Sequence, residues 1–186
     1  MMVLGLDTSN YTTSAAAFDG VSGKNCSRLL DVREGELGLR QSDALFSHVK
    51  RLPELVDALC ASVNIGNVTA IGVSTRPRAV EGSYMPCFLA GVNAATAFAA
   101  ARSIPLIYTT HQQGHAAAAL FAARGADLFT QKVLLFHISG GTTDLLLCDE
   151  VRTITQLGTS TDLYAGQAVD RVGVKLGSAF PAGAEV

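Results

Sequence analysis

Charged residues are scarce in this chain, and neither a long hydrophobic run nor a signal-like N-terminus is present. Only 16% of the 186 residues are charged, with 14 basic and 16 acidic side chains mixed along the sequence. No basic block therefore indicates long-range attraction to nucleic acid. The longest alanine-rich stretch, 91–101, is too short and too polar to span a bilayer. Together these absences predict a cytoplasmic protein with no membrane segment.

Paired cysteines are also lacking. The four cysteines form no CxxC pair and have no metal-ligand spacing: Cys26, Cys60, Cys87 and Cys148. Cys60, Cys87 and Cys148 each lie among apolar neighbours. This usage is typical of small buried hydrophobic residues in a protein of a reducing compartment. The hydrophobic content of 48% is ample for a folded core.

The hydrophobic periodicity predicts an α/β chain in which three strands and a helix occur twice. The first set is strands 2–8, 12–18 and 27–33, followed by helix 42–63, which Pro53 is expected to split or kink. The second set is strands 133–139, 143–148 and 151–157, followed by helix 163–176. Between the sets, strands 68–74 and 104–108 alternate with helix 86–102 and a helix that carries His111 and His115. We expect a first lobe at 1–124 and the start of a second lobe at 125–186.

The first candidate site is the polar turn at the end of strand 2–8, where Asp7, Thr8, Ser9 and Asn10 follow one another. Hydroxyls and backbone N–H groups can face a phosphate while the carboxylate orients water or a cation. The same residue types also favour ordinary turns, so a capped hairpin is the alternative.

The second candidate is the turn Ser139-Gly140-Gly141-Thr142 between two apolar strands. Paired glycines let the backbone approach a phosphate closely, and their N–H groups can form an anion nest. A β-turn that needs a positive φ angle is the alternative. Two such hairpins, each opening a strand meander, favour a nucleotide held between two repeats.

The third candidate is the pair His111 and His115, which lie four residues apart on one predicted helix and share a face. Both imidazoles could reach one metal ion, although a third protein ligand is normally needed. Surface or capping histidines are the alternative. No glutamate stands between them, so a zincin-type protease base is not available. The other two histidines are weaker candidates: His48 lies on the long helix beside Ser47, and His137 lies in an apolar strand, where we expect a hydrogen-bonded core histidine.

Three further residues could contact a nucleotide or cap a helix. Asp162 is positioned to cap helix 163–176, and Asp170 lies two turns further on, where it could meet a ribose hydroxyl. Gly183 could lie on the adenine or ribose side. A loop carrying Arg76 and Arg78 could hold an anionic substrate or form a surface salt bridge.

Four ordered segments together resemble one family: LGLDTSNYTTSAA, HQQGHAAAAL, ISGGTTDLLL and GTSTDLYAGQAVDRVGVKLG. They are similar to the universal tRNA threonylcarbamoyltransferases, long described as O-sialoglycoprotein endopeptidases or glycoprotease-family metallopeptidases. The resemblance implies the ASKHA fold (actin-like ATPase, ribonuclease-H-like), a mixed sheet flanked by helices. It also implies transfer of a threonylcarbamoyl group from its adenylate to N6 of a tRNA adenosine.

The resemblance places the family's functional residues on particular positions here. It implies iron or zinc bound by His111 and His115. It also implies ATP or an acyl-adenylate bound by a glycine-rich loop and two later residues: Ser139, Gly140, Gly141, Thr142, Asp170 and Gly183. The residue pattern of the first hairpin adds Asp7 and Ser9 as candidate nucleotide-binding residues. The metal would act as a Lewis acid. We also expect a protein partner or a homodimer, and we expect a full-length parent to bind tRNA.

Departures from the family pattern indicate a divergent paralogue. Asn10-Tyr11-Thr12 replaces a common Cys-Asp-Glu stretch, 162–167 replaces Asp-Asp-Ala-Ala-Gly-Glu, and Arg76-Pro77-Arg78 replaces a Gly-Pro-Gly turn. The family's remaining metal-binding aspartate lies in a later portion that has no counterpart in these residues. We therefore expect weak metal binding and no turnover by this chain alone. The rival hypotheses are a non-catalytic scaffold that dimerises through its small-residue helices and, last, a metallopeptidase.

Overall fold

The chain forms two compact units, Met1–Gly114 and His115–Val186. The computed structural model describes residues 1–9, 11–31, 39–123, 126–139, 141–149, 153–178 and 182–183. The expected lobe boundary near 124 stays a prediction.

The first unit is built on a five-stranded mixed sheet. Its strands are β1 (Met2–Asp7), β2 (Thr12–Phe18), β3 (Gly23–Leu29), β4 (Val68–Ser74) and β5 (Leu106–Thr109). The spatial order is β3-β2-β1-β4-β5. Strands β1, β2 and β3 form an antiparallel meander, whereas β4 and β5 run parallel to β1. The carboxyl ends of β1, β4 and β5 therefore lie at one edge of the sheet, where ligands of such sheets bind.

The turn between β2 and β3 explains why β3 begins earlier than the predicted strand 27–33. Gly20 has a φ angle of 101°, and the N–H groups of Val21 and Ser22 donate to Oδ1 of Asp19 at 2.8 and 2.7 Å. This tight turn places Phe18 opposite Gly23, so the pairing of β3 with β2 begins at Gly23. Arg33 lies outside the described residues.

Helix α1 (Gln41–Ser62) continues through Pro53, so the expectation that Pro53 splits the helix is wrong. A proline in a helix interior removes one backbone hydrogen bond. Leu52, directly before Pro53, and Leu59, further along the helix after it, are 3% and 1% exposed. Both leucines belong to the hydrophobic core of the first unit, so packing on both sides of Pro53 offsets that loss.

The core of the first unit lies between the sheet and two helices. Helix α1 packs against β2 and β3, and α2 (Phe88–Arg102) packs against β1 and β4. Alternate strand residues and small helix residues fill the core: Leu4, Leu6, Ala15, Ala17, Val68, Ile71, Val73, Ala95 and Ala99. The alanines of α2 allow the helix to lie close to the strands, as the small-residue pattern predicts.

The second unit contains a three-stranded antiparallel sheet in the order β6-β7-β8. Its strands are β6 (Lys132–Ile138), β7 (Thr143–Asp149) and β8 (Thr153–Thr159), and α4 (Ala165–Lys175) follows. Helix α3 (His111–Ala122) crosses from the first unit into the second. The order of three strands and a helix thus occurs twice in the described elements, as predicted.

The start of α4 differs from the prediction that Asp162 caps it. The N-cap is Tyr164, which makes no side-chain cap hydrogen bond. The hydroxyl of Thr143 accepts from the Ala165 N–H at 2.8 Å instead. A tertiary contact from β7 therefore replaces the local cap. None of the helices that the structure describes is sufficiently long and apolar to traverse a bilayer.

Candidate functional site

Asp7 lies at the carboxyl end of β1 and is hydrogen-bonded on both carboxylate oxygens. Its Oδ1 accepts from the Ser9 N–H at 2.9 Å, and its Oδ2 lies 3.0 Å from Nδ1 of His111. The two side chains are only 23% and 35% exposed. Two residues predicted separately from the sequence are thus brought into direct contact in the first unit.

The environment of Asp7 keeps its carboxylate charged. Burial raises the pKa of Asp7, but hydrogen bonding and the charge of His111 lower it, and hydrogen bonds from Ser74 and Ser9 lower it further. The lowering effects win, so the pKa lies well below its usual value of 3.8. A fixed negative charge therefore stands beside the imidazole of His111.

Thr8 anchors the same strand end to helix α2. Its hydroxyl donates to the carbonyl of Cys87 at 3.0 Å and accepts from the Gly91 N–H at 3.1 Å. A Cβ at Gly91 would lie 3.1 Å from Oγ1 of Thr8, so only glycine permits this approach without adjustment. The buried Thr8 thus fixes the backbone at the end of β1, and with it the position of Asp7.

Helix α3 begins with a capping box that the sequence analysis missed. The Gln113 N–H donates to the hydroxyl of Thr110 at 3.2 Å, and the Thr110 N–H donates to Oε1 of Gln113 at 2.8 Å. The N–H groups of His111 and Gln112 donate to the carbonyls of Arg76 and Pro77, both at 3.0 Å. The start of α3 is therefore already satisfied and offers no open anion site.

His111 and His115 both lie on α3, four residues apart, as predicted. Because Nδ1 of His111 faces Asp7, its Nε2 is the nitrogen that a metal could take. His115 is exposed, and its ring centre lies 5.3 Å from that of His137. Among the residues that the structure describes, no three His, Cys, Asp or Glu side chains gather to hold a metal ion.

The glycine turn of the second unit is organised by Ser139. Its hydroxyl accepts from the N–H groups of Gly141 and Thr142 at 3.2 and 3.0 Å and lies 2.8 Å from the Thr142 hydroxyl. A Cβ at Gly141 would meet nothing within 4 Å. Gly140 lies outside the described residues, as does Asn10. Packing therefore does not account for glycine at 141.

Asp170 and Gly183, both predicted near a nucleotide, lie together in the second unit. Oδ1 of Asp170 accepts from the N–H groups of Ala182 and Gly183 at 2.9 and 3.1 Å. Ala182 is fully buried. The carboxylate on α4 thus holds the backbone at 182–183 in place.

The two remaining histidines, His48 and His137, each belong to a specific pair. His48 is fully buried, and its Nδ1 lies 2.8 Å from the hydroxyl of buried Thr13. Thr13 lies two residues before Ala15 on β2, so the two side chains share one face of the strand. The alternating pattern of the sequence could therefore have indicated that Thr13 points into the core. No local signal could have placed His137 beside His115, because that contact depends on how α3 docks on β6.

Comparison with known proteins decides which family this arrangement belongs to. The sequence model of the family TsaD, tRNA N6-adenosine threonylcarbamoyltransferase, matches residues 38–186. This chain belongs to that family. Curated TsaD relatives include one from Rhizobium etli, 32% identical over all of this chain and 51% of the relative. Another, from Dehalococcoides mccartyi, is 32% identical over 98% of this chain and 55% of the relative.

The chain spans about half the length of the curated TsaD relatives that it matches. A solved structure, an uncharacterized Pseudomonas aeruginosa protein similar to peptidase YeaZ, is 17% identical. That comparison covers 84% of this chain and 63% of the other, with a TM-score of 0.51. Together with the sheet order, this likeness confirms the predicted ASKHA-type mixed α/β fold.

Proposed function

We propose that this TsaD-family chain is a metal- and adenylate-binding portion of a threonylcarbamoyltransferase-like protein. The observation that carries the proposal is the Asp7–His111 pair, 3.0 Å apart at the carboxyl edge of the first unit's parallel strands. A carboxylate behind a histidine fixes the imidazole tautomer and raises its basicity as a ligand. The residues present therefore suit iron or zinc held through the α3 histidines.

We assign the adenylate to residues of the second unit that offer hydroxyl groups and accessible backbone N–H groups. The N–H groups of Gly141 and Thr142 point at the Ser139 hydroxyl. A phosphate could take over these two donors once the Ser139 side chain rotates away. Because no packing requires glycine at 141, the space beside it can admit a ligand. Asp170 and Gly183 would then face the ribose side.

The proposed reaction in the longer parent is transfer of a threonylcarbamoyl group to N6 of a tRNA adenosine. The metal, when bound, would polarise a phosphate or carbonyl oxygen as a Lewis acid. This chain's own residues would hold the metal ligand in one tautomer and bind the adenylate. The balanced charge of the chain suggests that tRNA affinity comes mainly from another segment or a protein partner. Free cysteines and a tRNA substrate fit a cytoplasmic location.

Calorimetric titration of the 186-residue chain with ATP, with and without added Zn²⁺, tests this proposal. We expect saturable ATP binding that is stronger with Zn²⁺, and a loss of the Zn²⁺ effect in His111→Ala. Asp170→Asn should weaken ATP binding with or without the metal. The absence of any ATP binding by the wild type, with Zn²⁺ present, would refute the adenylate assignment.

A second candidate function, a scaffold or partner subunit without catalysis, is favoured by an apolar groove between α1 and α2. The groove has a volume of about 320 Å³ and is lined by Val49, Leu52, Pro53, Val56, Ala90, Asn93 and Ala94. Val49 is 54% exposed. Small side chains on α2 would let a second copy of the chain approach closely, as the sequence predicts for a homodimer.

Sedimentation velocity over a range of concentrations tests association through this groove. Val49→Glu should shift the chain to monomer, because a charge in an apolar contact is costly to desolvate. Val80→Glu is the matched control, since Val80 is equally exposed at 56% but lies away from the groove. A wild-type chain that stays monomeric at all concentrations would contradict the homodimer.

A further inference from the structure

One charged loop of the first unit has no role in the proposed function. The loop follows β4, and Arg76 is its second residue. The side chain of Arg76 is exposed. The sequence allows two roles for this side chain, a surface salt bridge or contact with an anionic ligand. The position of Arg76 and the contacts of the other arginines distinguish these two roles.

The backbone around Arg76 is fixed at the edge of the sheet that carries Asp7 and His111. The Thr75 N–H donates to the carbonyl of Thr109, at the end of β5, at 3.0 Å. The carbonyl of Arg76 itself accepts from the His111 N–H at 3.0 Å. Arg76 therefore lies directly beside the start of α3, and its backbone is held there by hydrogen bonds.

The guanidinium of Arg76 makes no internal contact of the kind that other arginines of this unit make. Three of these use their side chains within the unit: Arg28 with Glu54, Arg51 with Asp31, and Arg102 with the carbonyls of Ile65 and Gly66. Across the residues that the structure describes, none forms an ion pair or a side-chain hydrogen bond with the guanidinium of Arg76. The described part of the chain therefore does not use Arg76 in a surface salt bridge.

Asp7, on the same edge of the sheet, directs its carboxylate to other partners. Its Oδ1 accepts from the Ser9 N–H at 2.9 Å, and its Oδ2 lies 3.0 Å from Nδ1 of His111. The donors of Arg76 thus remain available to a ligand. A guanidinium presents its N–H donors in a planar fork that matches two oxygens of a carboxylate or phosphate. This geometry suits recognition of an oxyanion better than the point charge of a lysine does.

We propose that Arg76 anchors an oxyanion-binding site at the carboxyl edge of the first unit, and that the ligand is a carboxylate or phosphate group of a small molecule. Ligands of sheets with parallel strands bind at this edge. The fixed backbone holds the charged side chain close to the Asp7–His111 pair. The proposal goes beyond the proposed function, which gives Arg76 no part, and it does not require ATP binding by the second unit.

Spectra of the arginine Nε–Hε groups, recorded by ¹H–¹⁵N NMR on the 186-residue chain, test this site. Sodium phosphate and N-carbamoyl-L-threonine are added in separate titrations, and potassium chloride at the same ionic strength controls for screening. We expect a saturable shift of the Arg76 signal with at least one of the two anions. The Arg102 signal should not respond, because Arg102 lies at the other end of α2 and contacts backbone carbonyls.

Substitutions provide the second measurement, with calorimetry of the same two anions. Arg76→Gln should weaken binding at least about tenfold, because charge-assisted hydrogen bonds are lost. Arg76→Lys keeps the charge but not the fork and should bind more weakly than the wild type. Arg102→Gln removes the same charge at the other end of α2 and should bind like the wild type.

The two anions distinguish the source of the oxyanion. A response to phosphate alone assigns a phosphate group, a response to N-carbamoyl-L-threonine alone assigns a carboxylate, and a response to both assigns a site for either. The proposal is overturned if neither anion shifts the Arg76 signal more than chloride does, or if Arg76→Gln and Arg102→Gln weaken binding equally. A chain that binds one of these anions at Arg76 but never binds ATP would retain this site and lose the adenylate assignment.

Discussion

Thr13 and His48 form a fully buried polar pair that ties β2 to α1. We predict that Thr13→Val, which keeps the side-chain shape, lowers the free energy of unfolding by about 1–3 kcal/mol. The reason is that Nδ1 of His48 would remain buried without its hydroxyl partner. Urea unfolding measures the change.

Thr12→Val is the control for this substitution, because Thr12 is the next residue on β2 and projects to the opposite face. Its effect should stay within about 0.5 kcal/mol. Equal effects of the two substitutions would show that the hydroxyl of Thr13 contributes no specific stabilisation.

At the residue scale, Asp19 makes the stability of the fold depend on pH. Backbone hydrogen bonds from Ser22 and Val21, and the Ser22 hydroxyl, lower the pKa of Asp19 below its ordinary value of 3.8. Since the unfolded chain binds this proton more readily, the stabilisation is present at higher pH and is lost as pH falls through the folded pKa. The stability difference between wild type and Asp19→Asn should therefore shrink in acid.

An NMR titration of the Asp19 carboxyl measures this pKa directly. Ser22→Ala removes one donor and should raise the pKa of Asp19 toward the ordinary value. A wild-type pKa at or above 3.8 would contradict the turn geometry.

At the scale of elements, the contact between α2 and β1 depends on a glycine. A Cβ at Gly91 would lie 3.1 Å from Oγ1 of Thr8, whose hydroxyl is held by two hydrogen bonds and cannot easily move. We predict that Gly91→Ala destabilises the fold by about 1–3 kcal/mol. Thermal unfolding reports the change.

Gly114→Ala on α3 is the matched helix substitution, because a Cβ there meets nothing within 4 Å. It should stabilise the chain by up to about 1 kcal/mol through helix propensity. A stabilising Gly91→Ala would show that α2 can shift away from β1 at little cost.

Local patterns in the sequence were sufficient to predict the elements but not their ends or their tertiary pairing. Alternation in β2 and the helical spacing of α1 follow directly from residue type, so both were predictable. The continuity of α1 through Pro53 and the cap of α4 by Thr143 depend on contacts from other elements. Asp7 and His111 are 104 residues apart, so their contact depends on sheet register rather than spacing. The contact of His137 with His115 likewise requires the fold.

For the whole molecule, family membership and chain length determine which functional conclusions apply to this chain. The TsaD family match covers most of the chain, yet the chain spans about half of its curated relatives. The complete transfer reaction is therefore a proposal for a longer protein. Binding of metal and adenylate is the part that these residues can be tested for by themselves.

Backbone NMR of the chain during titration with ATP, in the presence of Zn²⁺, tests the adenylate assignment most directly. We predict that the largest amide shifts occur at Gly141, Thr142 and Gly183, with Gly20 and Gly66 unaffected as remote turn glycines. Shifts spread evenly over all five amides, or none at saturating ATP, would contradict the account.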